Sequence, residues 1–323
     1  MKAAVVGERG LEIRDVPEPE PKPNEVKVRV RACGLNRADL IVLSGHKHGN
    51  VGGPGSIIGL EFAGEVVQIG RDVKNIKIGD RVMCSGSSAF AEYAVTDWGR
   101  VTPIPDSNMS DAKAATLPIA LQTMHDAIVT NGRFKAGETI LIQGAASGVG
   151  LMGLQIAKMM GARTVFGTSR DDARRARLGE FGCDLAIDTS DPRWPDAVLA
   201  ATDGRGVDLI IDQVSAGVAN QNLAAAAVKG RIVNVGRLGG FKGEFDFDLH
   251  AMKRIDYIGV TFRTRSIDEV REINRRMKED LGEAVASGKL ALPISWSFPL
   301  DQAAEALQFT KANSHFGKVV LTV

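Results

Sequence analysis

A chain of 323 residues is long for a single hydrophobic core, so two domains are expected. With 40 Lys and Arg against 39 Asp and Glu the net charge is +1, which gives no electrostatic basis for a nucleic-acid or membrane-surface partner. An apolar content of 44% without any run near the length of a spanning helix excludes an integral membrane protein of the helical kind.

The first third alternates short β-type runs with Gly and Pro punctuation: MKAAVV, EVKVRVRACG, IIGLEFAGEVVQIG, GDRVMC and FAEYAVT. In EVKVRVRA, Val26, Val28 and Val30 fall on one face and Lys27, Arg29 and Arg31 on the other, the pattern of a half-buried antiparallel strand. VPEPEPKPNE holds four prolines in ten residues and reads as an extended connection. A mainly β first domain follows. The opening MKAAVVGERG is too short in its apolar run for a signal peptide, and the odd, widely spaced Cys33, Cys84 and Cys183 read as reduced thiols; a cytoplasmic location is expected.

From about Phe134 strands alternate with helical patterns. TILIQG reads as a buried strand, VGLMGLQIAKMMG as a helix ending at Gly161, RTVFGTS as a second strand and DDARRARLGEFG as a polar helix ending at Gly182. DLAID, VDLIIDQV, GRIVNVG and IDYIGVT supply further strands, the βαβ rhythm of a doubly wound parallel sheet. A charged helix (SIDEVREINRRMKEDLGEAVASG), the segment PLDQAAEALQFTKAN and a last strand GKVVLTV close the chain.

The glycines of QGAASGVGLMG lie between a strand and a helix, and Gly148, Gly150 and Gly153 meet the GxGxxG spacing, with Gly144 just after the strand. Such a turn lets backbone N–H groups and the positive end of the helix approach a pyrophosphate. Ser147, Gly148, Val149 and Gly150 are the residues expected to line it. An acid that would bind a ribose 2′-OH is missing at the end of the second strand, where Thr168, Ser169 and Arg170 stand instead. An Arg with a hydroxyl suits a 2′-phosphate, so NADPH is the expected cofactor, with Asp171 and Asp172 capping the next helix.

The segments GLEFAGEVVQIGRDVKNIKIGDRV, AFAEYAV, LPIALQTMHDAI, QGAASGVG and FGKVVL, in this order across essentially the whole chain, resemble the medium-chain dehydrogenase/reductase superfamily, specifically its zinc-independent quinone oxidoreductase branch. The resemblance implies an α/β fold: a Rossmann doubly wound parallel sheet inserted into a GroES-like β-rich catalytic domain. The domains would be residues 1–120 plus 263–323 and residues 121–262.

Zinc-dependent members carry a Cys, a His and a further Cys or acid as catalytic ligands. The matching positions here are Asn36 in ACGLNRAD, Leu60 in GLE and Ala120 in LPIALQT, and the four-cysteine structural lobe after GDRV is absent. His46 and His48 in GHKHG read as solvated loop residues before they read as ligands, so no metal is expected.

Without a Lewis acid, a quinone or an α,β-unsaturated carbonyl is a better hydride acceptor than an isolated ketone, because conjugation spreads the developing charge. The resemblance implies reduction of a quinone, or alternatively the C=C bond of an enal or enone; a non-catalytic NADPH-binding role is the third reading. It places Asn36 and Thr123 near the nicotinamide and substrate. Val214, Val235 and Gly236 at strand ends, Phe262 and Arg263 after the last strand, and Lys318 before the terminal strand are implied cofactor contacts.

For each there is a plainer role: Asn36 as the cap of the helical turn NRADLIVLSG, Thr123 as a stabiliser of the domain junction, the strand-end residues as packing, the arginines as a solvated face. Tyr93 and His125 read as structural. Glu61, between Leu60 and Phe62, needs a cationic partner, for which an arginine is expected. The strand IDYIGVT would be an exposed edge suited to pairing between subunits of a homodimer.

Overall fold

The computed structural model describes residues 1–8, 10–43, 52–105 and 109–323. His46 and His48 lie outside the described residues. The chain divides into two compact units, Met1–Gln122 with Phe262–Val323, and Thr123–Thr261.

The first unit opens with strands β1 (Lys2–Gly7), β2 (Gly10–Asp15) and β3 (Glu25–Gly34), then helix α1 (Arg37–Leu43). Strands β4 (Glu61–Ile69), β5 (Arg81–Ser85), β6 (Tyr93–Asp97) and β7 (Val101–Pro103) follow, with helices α2 (Asp111–Ala114) and α3 (Pro118–His125). β3 is the organising strand, pairing antiparallel with β4 and β6. Its alternation works as the sequence implies: Val26, Val28 and Val30 enter the core with Phe62, Val66, Val82 and Phe90, while Arg29 and Arg31 stay exposed. Lys27 departs from the pattern: its stem is buried and its ammonium leaves toward Glu18 Oε2 at 2.7 Å.

The second unit is β8 (Thr139–Ile142), α4 (Gly148–Met159), β9 (Thr164–Thr168), α5 (Asp172–Ala176), β10 (Leu185–Ile187), α6 (Trp194–Ala200), β11 (Val207–Asp212), α7 (Ala219–Ala225), β12 (Ala226–Asn234), α8 (Phe247–Lys253) and β13 (Asp256–Gly259). The strands are parallel in the order β10-β9-β8-β11-β12-β13. The order reverses at the β8/β11 pair, which is the doubly wound topology with its ligand-binding switch point above β8. Leu141, Phe166, Ile210, Leu223 and Ile232 fill the core. The helix expected over DDARRARLGEFG is shorter: α5 buries no residue, and the chain tightens into a 3₁₀ turn at Leu178–Phe181 before Gly182 takes a left-handed φ of 92°.

The chain returns to the first unit with α9 (Ile267–Ala286), β14 (Ile294–Pro299), α10 (Ala303–Ala312) and β15 (Lys318–Thr322). Ser266 and Glu269 form a capping box at the start of α9, and Val270, Ile273, Met277 and Leu281 carry its buried stripe. β15 pairs antiparallel with β3, so Lys318 comes to the same end of the sheet as Gly34 and Glu61, which face each other across β3 and β4. This is a seven-stranded GroES-like sheet assembled from both ends of the sequence.

Candidate functional site

In the first unit a buried polar cluster forms where β3, β4 and β15 end. Glu61 is completely buried and Lys318 is 4% exposed. The Lys318 ammonium donates to the Glu61 carboxylate, to Asn36 Oδ1 at 3.0 Å and to Leu35 O at 2.9 Å, which uses all three of its protons. Glu61 also accepts from Asn36 Nδ2 at 2.9 Å and from the Ile119 amide at 2.9 Å. The cluster fits only because residue 34 is glycine: a Cβ there would lie 2.6 Å from Glu61 Oε1 and 2.4 Å from Ala115 O.

Two expectations are corrected here. The cation that neutralises Glu61 is Lys318, not an arginine, because β15 delivers the lysine to the open end of the β3–β4 pair. Lys318 itself directs all three of its protons to partners inside the unit. Asn36 does not cap α1 with its side chain, which is turned to Glu61 and Lys318. Asp39 reaches back instead, its Oδ2 accepting from the Asn36 amide at 2.7 Å. Burial pushes the Asp39 carboxyl up to about 7, against the downward pull of that amide and of Lys318. Burial also raises the Cys33 thiol, which donates to Ala89 O at 2.9 Å. Tyr93 is half-buried beneath Lys27, and His125 is fully buried.

In the second unit the glycine turn joins β8 to α4. Gly144 takes φ of 66°, and Ser147 caps the helix by accepting from the Gly150 amide at 3.0 Å. A Cβ on Gly150 would lie 2.6 Å from Gly144 O and 2.7 Å from Ala145 Cα, both backbone atoms, so this close turn admits only glycine. Gly148 and Val149 open the helix, where amides have no intrahelical acceptor and carry the positive end of the dipole. A pyrophosphate suits such a cradle.

At the end of β9 the three residues diverge. Thr168 is 1% exposed and turned inward; Ser169 is 9% exposed, its hydroxyl 3.3 Å from the Asp171 amide; Arg170 is exposed, with no ion pair among the described residues. Asp171 caps α5 by accepting from Arg174 N, as the sequence implies. Val214, Val235 and Gly236 are half-buried at the carboxyl ends of β11 and β12. The Asp212 carboxylate shapes this edge by accepting from the amides of Val214 (2.8 Å) and Ser215 (2.9 Å). Thr123 lies half-buried on α3, and Phe262 and Arg263 follow β13, half-buried and exposed respectively. Asn36 thus gathers with Glu61, Lys318 and Asp39 in one unit, and the glycine turn, Val214, Val235 and Gly236 gather in the other.

Sequence reasoning missed Asp39, Gln143, Gln213 and the pairing partner of Glu61. Gln143 and Gln213 stand at the ends of apolar runs (ILIQ, LIIDQ), a pattern that marks strand ends without telling which polar ends meet.

Comparison with known proteins decides the family. A model of the alcohol dehydrogenase GroES-like domain matches residues 22–106, and one of the zinc-binding dehydrogenase domain matches residues 148–279. The chain is 30% identical over 293 residues to a quinone oxidoreductase-like protein 2 homolog of Nematostella vectensis, covering 90% of this chain and 79% of that protein. The chain belongs to the medium-chain dehydrogenase/reductase superfamily, in its quinone oxidoreductase-like group.

Other relatives are much longer. A phenolphthiocerol/phthiocerol polyketide synthase of Mycobacterium tuberculosis is 31% identical over 293 residues, which are 90% of this chain, and the chain spans only 13% of its length. Three solved structures superpose over nearly all of both chains. They are a quinone oxidoreductase from Pseudomonas syringae pv. Tomato DC3000 (28% identity, TM-score 0.88, 100% of each chain), the CurK enoyl reductase (25%, 0.87, 99% of each chain) and a mycobacterial protein in complex with NADPH (25%, 0.88, 100% of each chain).

The glycine cradle at the start of α4 fits the pyrophosphate of a nicotinamide cofactor. Zinc does not fit the positions that hold it in zinc-dependent members. Leu60 and Ala120 carry no donor, and Asn36 has its amide engaged with Glu61 and Lys318. Among the described residues no group of three or more His, Cys, Asp or Glu could hold a metal, and no helix is long and apolar enough to cross a membrane.

Proposed function

We propose that the protein reduces a quinone at the expense of NADPH without a metal. The observation that carries this reading is the Lys318–Glu61–Asn36 cluster. It installs a fixed, fully compensated ion pair beside Asn36, which stands where zinc-dependent members have a ligand. Such a centre offers no Lewis acid to an isolated alkoxide, so the acceptor has to delocalise its own charge, as a quinone does.

A bound nicotinamide supplies the hydride. The chain's part is to bind and orient. Ser147, Gly148, Val149 and Gly150 receive the pyrophosphate on the end of α4, and Arg170 with Ser169 receives the 2′-phosphate. Val214, Val235 and Gly236, with Phe262 and Arg263, flank the cofactor, and Thr123 lies toward its nicotinamide end. Asn36 meets the substrate through the amide N–H whose bond to Gly34 O is long, 3.4 Å, and readily exchanged.

The test is NADPH oxidation with 1,4-benzoquinone, 9,10-phenanthrenequinone and a set of enones, each with and without a chelator. Turnover of quinones, unchanged by chelation, supports the reading; loss of activity on chelation overturns the metal-free chemistry. A second reading, reduction of a conjugated C=C bond, is favoured by the likeness to the CurK enoyl reductase. Turnover of enones with inert quinones would select it. Tight NADPH binding with every acceptor inert would select a non-catalytic role.

The protein is further proposed to be a homodimer joined through β13. This strand has no outer neighbour among the described residues, and Phe247 (76% exposed) lines one concave surface with its Asp256, Tyr257 and Ile258. Sedimentation equilibrium reads the mass directly.

A further inference from the structure

The pyrophosphate turn rests on a buried polar scaffold whose members lie too deep to touch a ligand. Four polar side chains gather beneath residues 143–147: Gln143 (0% exposed), Thr168 (1%), Gln213 (6%) and Asn222 (0%). The Gly144 amide donates to Thr168 Oγ1 at 3.0 Å, and the Thr168 hydroxyl donates to Gln143 Oε1 at 2.7 Å. Gln143 Nε2 in turn donates to Asn222 Oδ1 at 2.7 Å. From the other side Gln213 Nε2 donates to Gln143 O at 2.9 Å. The Ser147 hydroxyl lies 3.0 Å from Gly144 O and 3.3 Å from Gln213 Oε1.

Strand β8 needs none of this for its own pairing, since its ladders to β9 and β11 are backbone bonds. An apolar core under the turn would be simpler, because each buried polar group costs free energy unless it is partnered. What the scaffold achieves is local: it fixes Gly144 at a left-handed φ and ties both ends of the turn to β9 and β11. The amides of Gly148 and Val149 are thereby held at the helix end before any ligand arrives. Preorganising a loop lowers the entropy lost on binding, which appears as affinity.

We propose that Thr168 and Gln213 are positioning residues for the dinucleotide, acting through the turn they hold; this rests on the nicotinamide reading above. Thr168→Val removes one hydroxyl without changing shape, and Gln213→Met removes one amide at similar volume. Each removes two hydrogen bonds of the scaffold and is expected to weaken NADPH about tenfold by calorimetry, since their loss reaches the ligand only through the turn. The turnover number at saturating NADPH should stay within twofold, because neither side chain meets the reacting atoms. Thr168→Ser keeps the hydroxyl and should restore the affinity. Hydrogen–deuterium exchange of a peptide spanning 143–150 should quicken in both deletion variants without cofactor.

Affinity within twofold of wild type in either variant, with only a lowered melting temperature, would show the scaffold to be mere core and overturn the proposal. Should Thr168→Val not fold, Gln213→Met decides by the same measure. Wild-type protein that binds neither NADPH nor NADH would sink the cofactor reading itself, and this inference with it. Wild-type binding matched by the variants sinks this inference alone.

Discussion

Lys318 and Glu61 form an ion pair from which water is excluded, with side chains 4% and 0% exposed, linking the last strand of the chain to the fourth. Two ions withdrawn from water are tolerated only when paired and fully hydrogen-bonded, and both are. The pair thereby locks the C-terminal strand to the position of Asn36. Lys318→Met leaves Glu61 buried and uncompensated, and we expect a loss of about 3–5 kcal/mol in urea denaturation. Lys318→Met combined with Glu61→Leu should recover more than half of that loss. A single variant as stable as wild type would show that the pair contributes nothing net to folding.

Ser169 and Arg170 follow β9 with opposite dispositions, one nearly closed off and one exposed. Arg170 is therefore the group with a free guanidinium to offer a 2′-phosphate. A charge-assisted bond of about 1.5–3 kcal/mol corresponds to roughly ten- to a hundredfold in affinity. Arg170→Ala should raise the Michaelis constant for NADPH by that factor and leave NADH within twofold. Equal effects on both cofactors would remove Arg170 from the 2′-phosphate site.

Gly150 tests whether the turn must be this tight. A methyl there meets Gly144 O and Ala145 Cα, backbone atoms that cannot swing aside. Gly150→Ala should cost about 1–3 kcal/mol of stability. Its NADPH affinity should fall at least tenfold, because the turn has to open to admit the methyl. A variant binding NADPH as wild type does would show that the turn has slack.

Most of the architecture was legible because periodicity and punctuation report it locally. Val26, Val28 and Val30 announce a strand buried on one face, and the alternation after Phe134 announces the parallel sheet. Asp171 as a cap was readable for the same reason: a cap bonds within three residues. The Glu61–Lys318 pair joins residues 257 apart, and Gln143–Gln213 joins residues 70 apart. No local pattern encodes such meetings; they follow from which strand ends the topology brings together. Short elements failed differently. The helix after Asp171 shortens because none of α5 is buried, and tertiary packing is what sustains a helix of that length.

Asp39 gives the first unit a pH dependence of determinate sign. Its carboxyl ordinarily titrates at 3.8 and is pushed up to about 7 by burial beside Cys33 and Glu61, with Lys318 and the Asn36 amide pulling the other way. The folded protein therefore binds this proton more tightly than the unfolded chain does. The stabilisation from the protonated form is fully present below pH 3.8 and is lost as pH rises through about 7. A shift from 3.8 to about 7 corresponds to about 4 kcal/mol between the two ends of that window. Asp39→Asn keeps an oxygen for the Asn36 amide and cannot ionise. It should be more stable than wild type at pH 8 and nearly equal to it at pH 3, with a flatter profile between. Denaturation series at half-unit steps read the slope. Parallel profiles for the two proteins would place the ionisation of Asp39 outside this window.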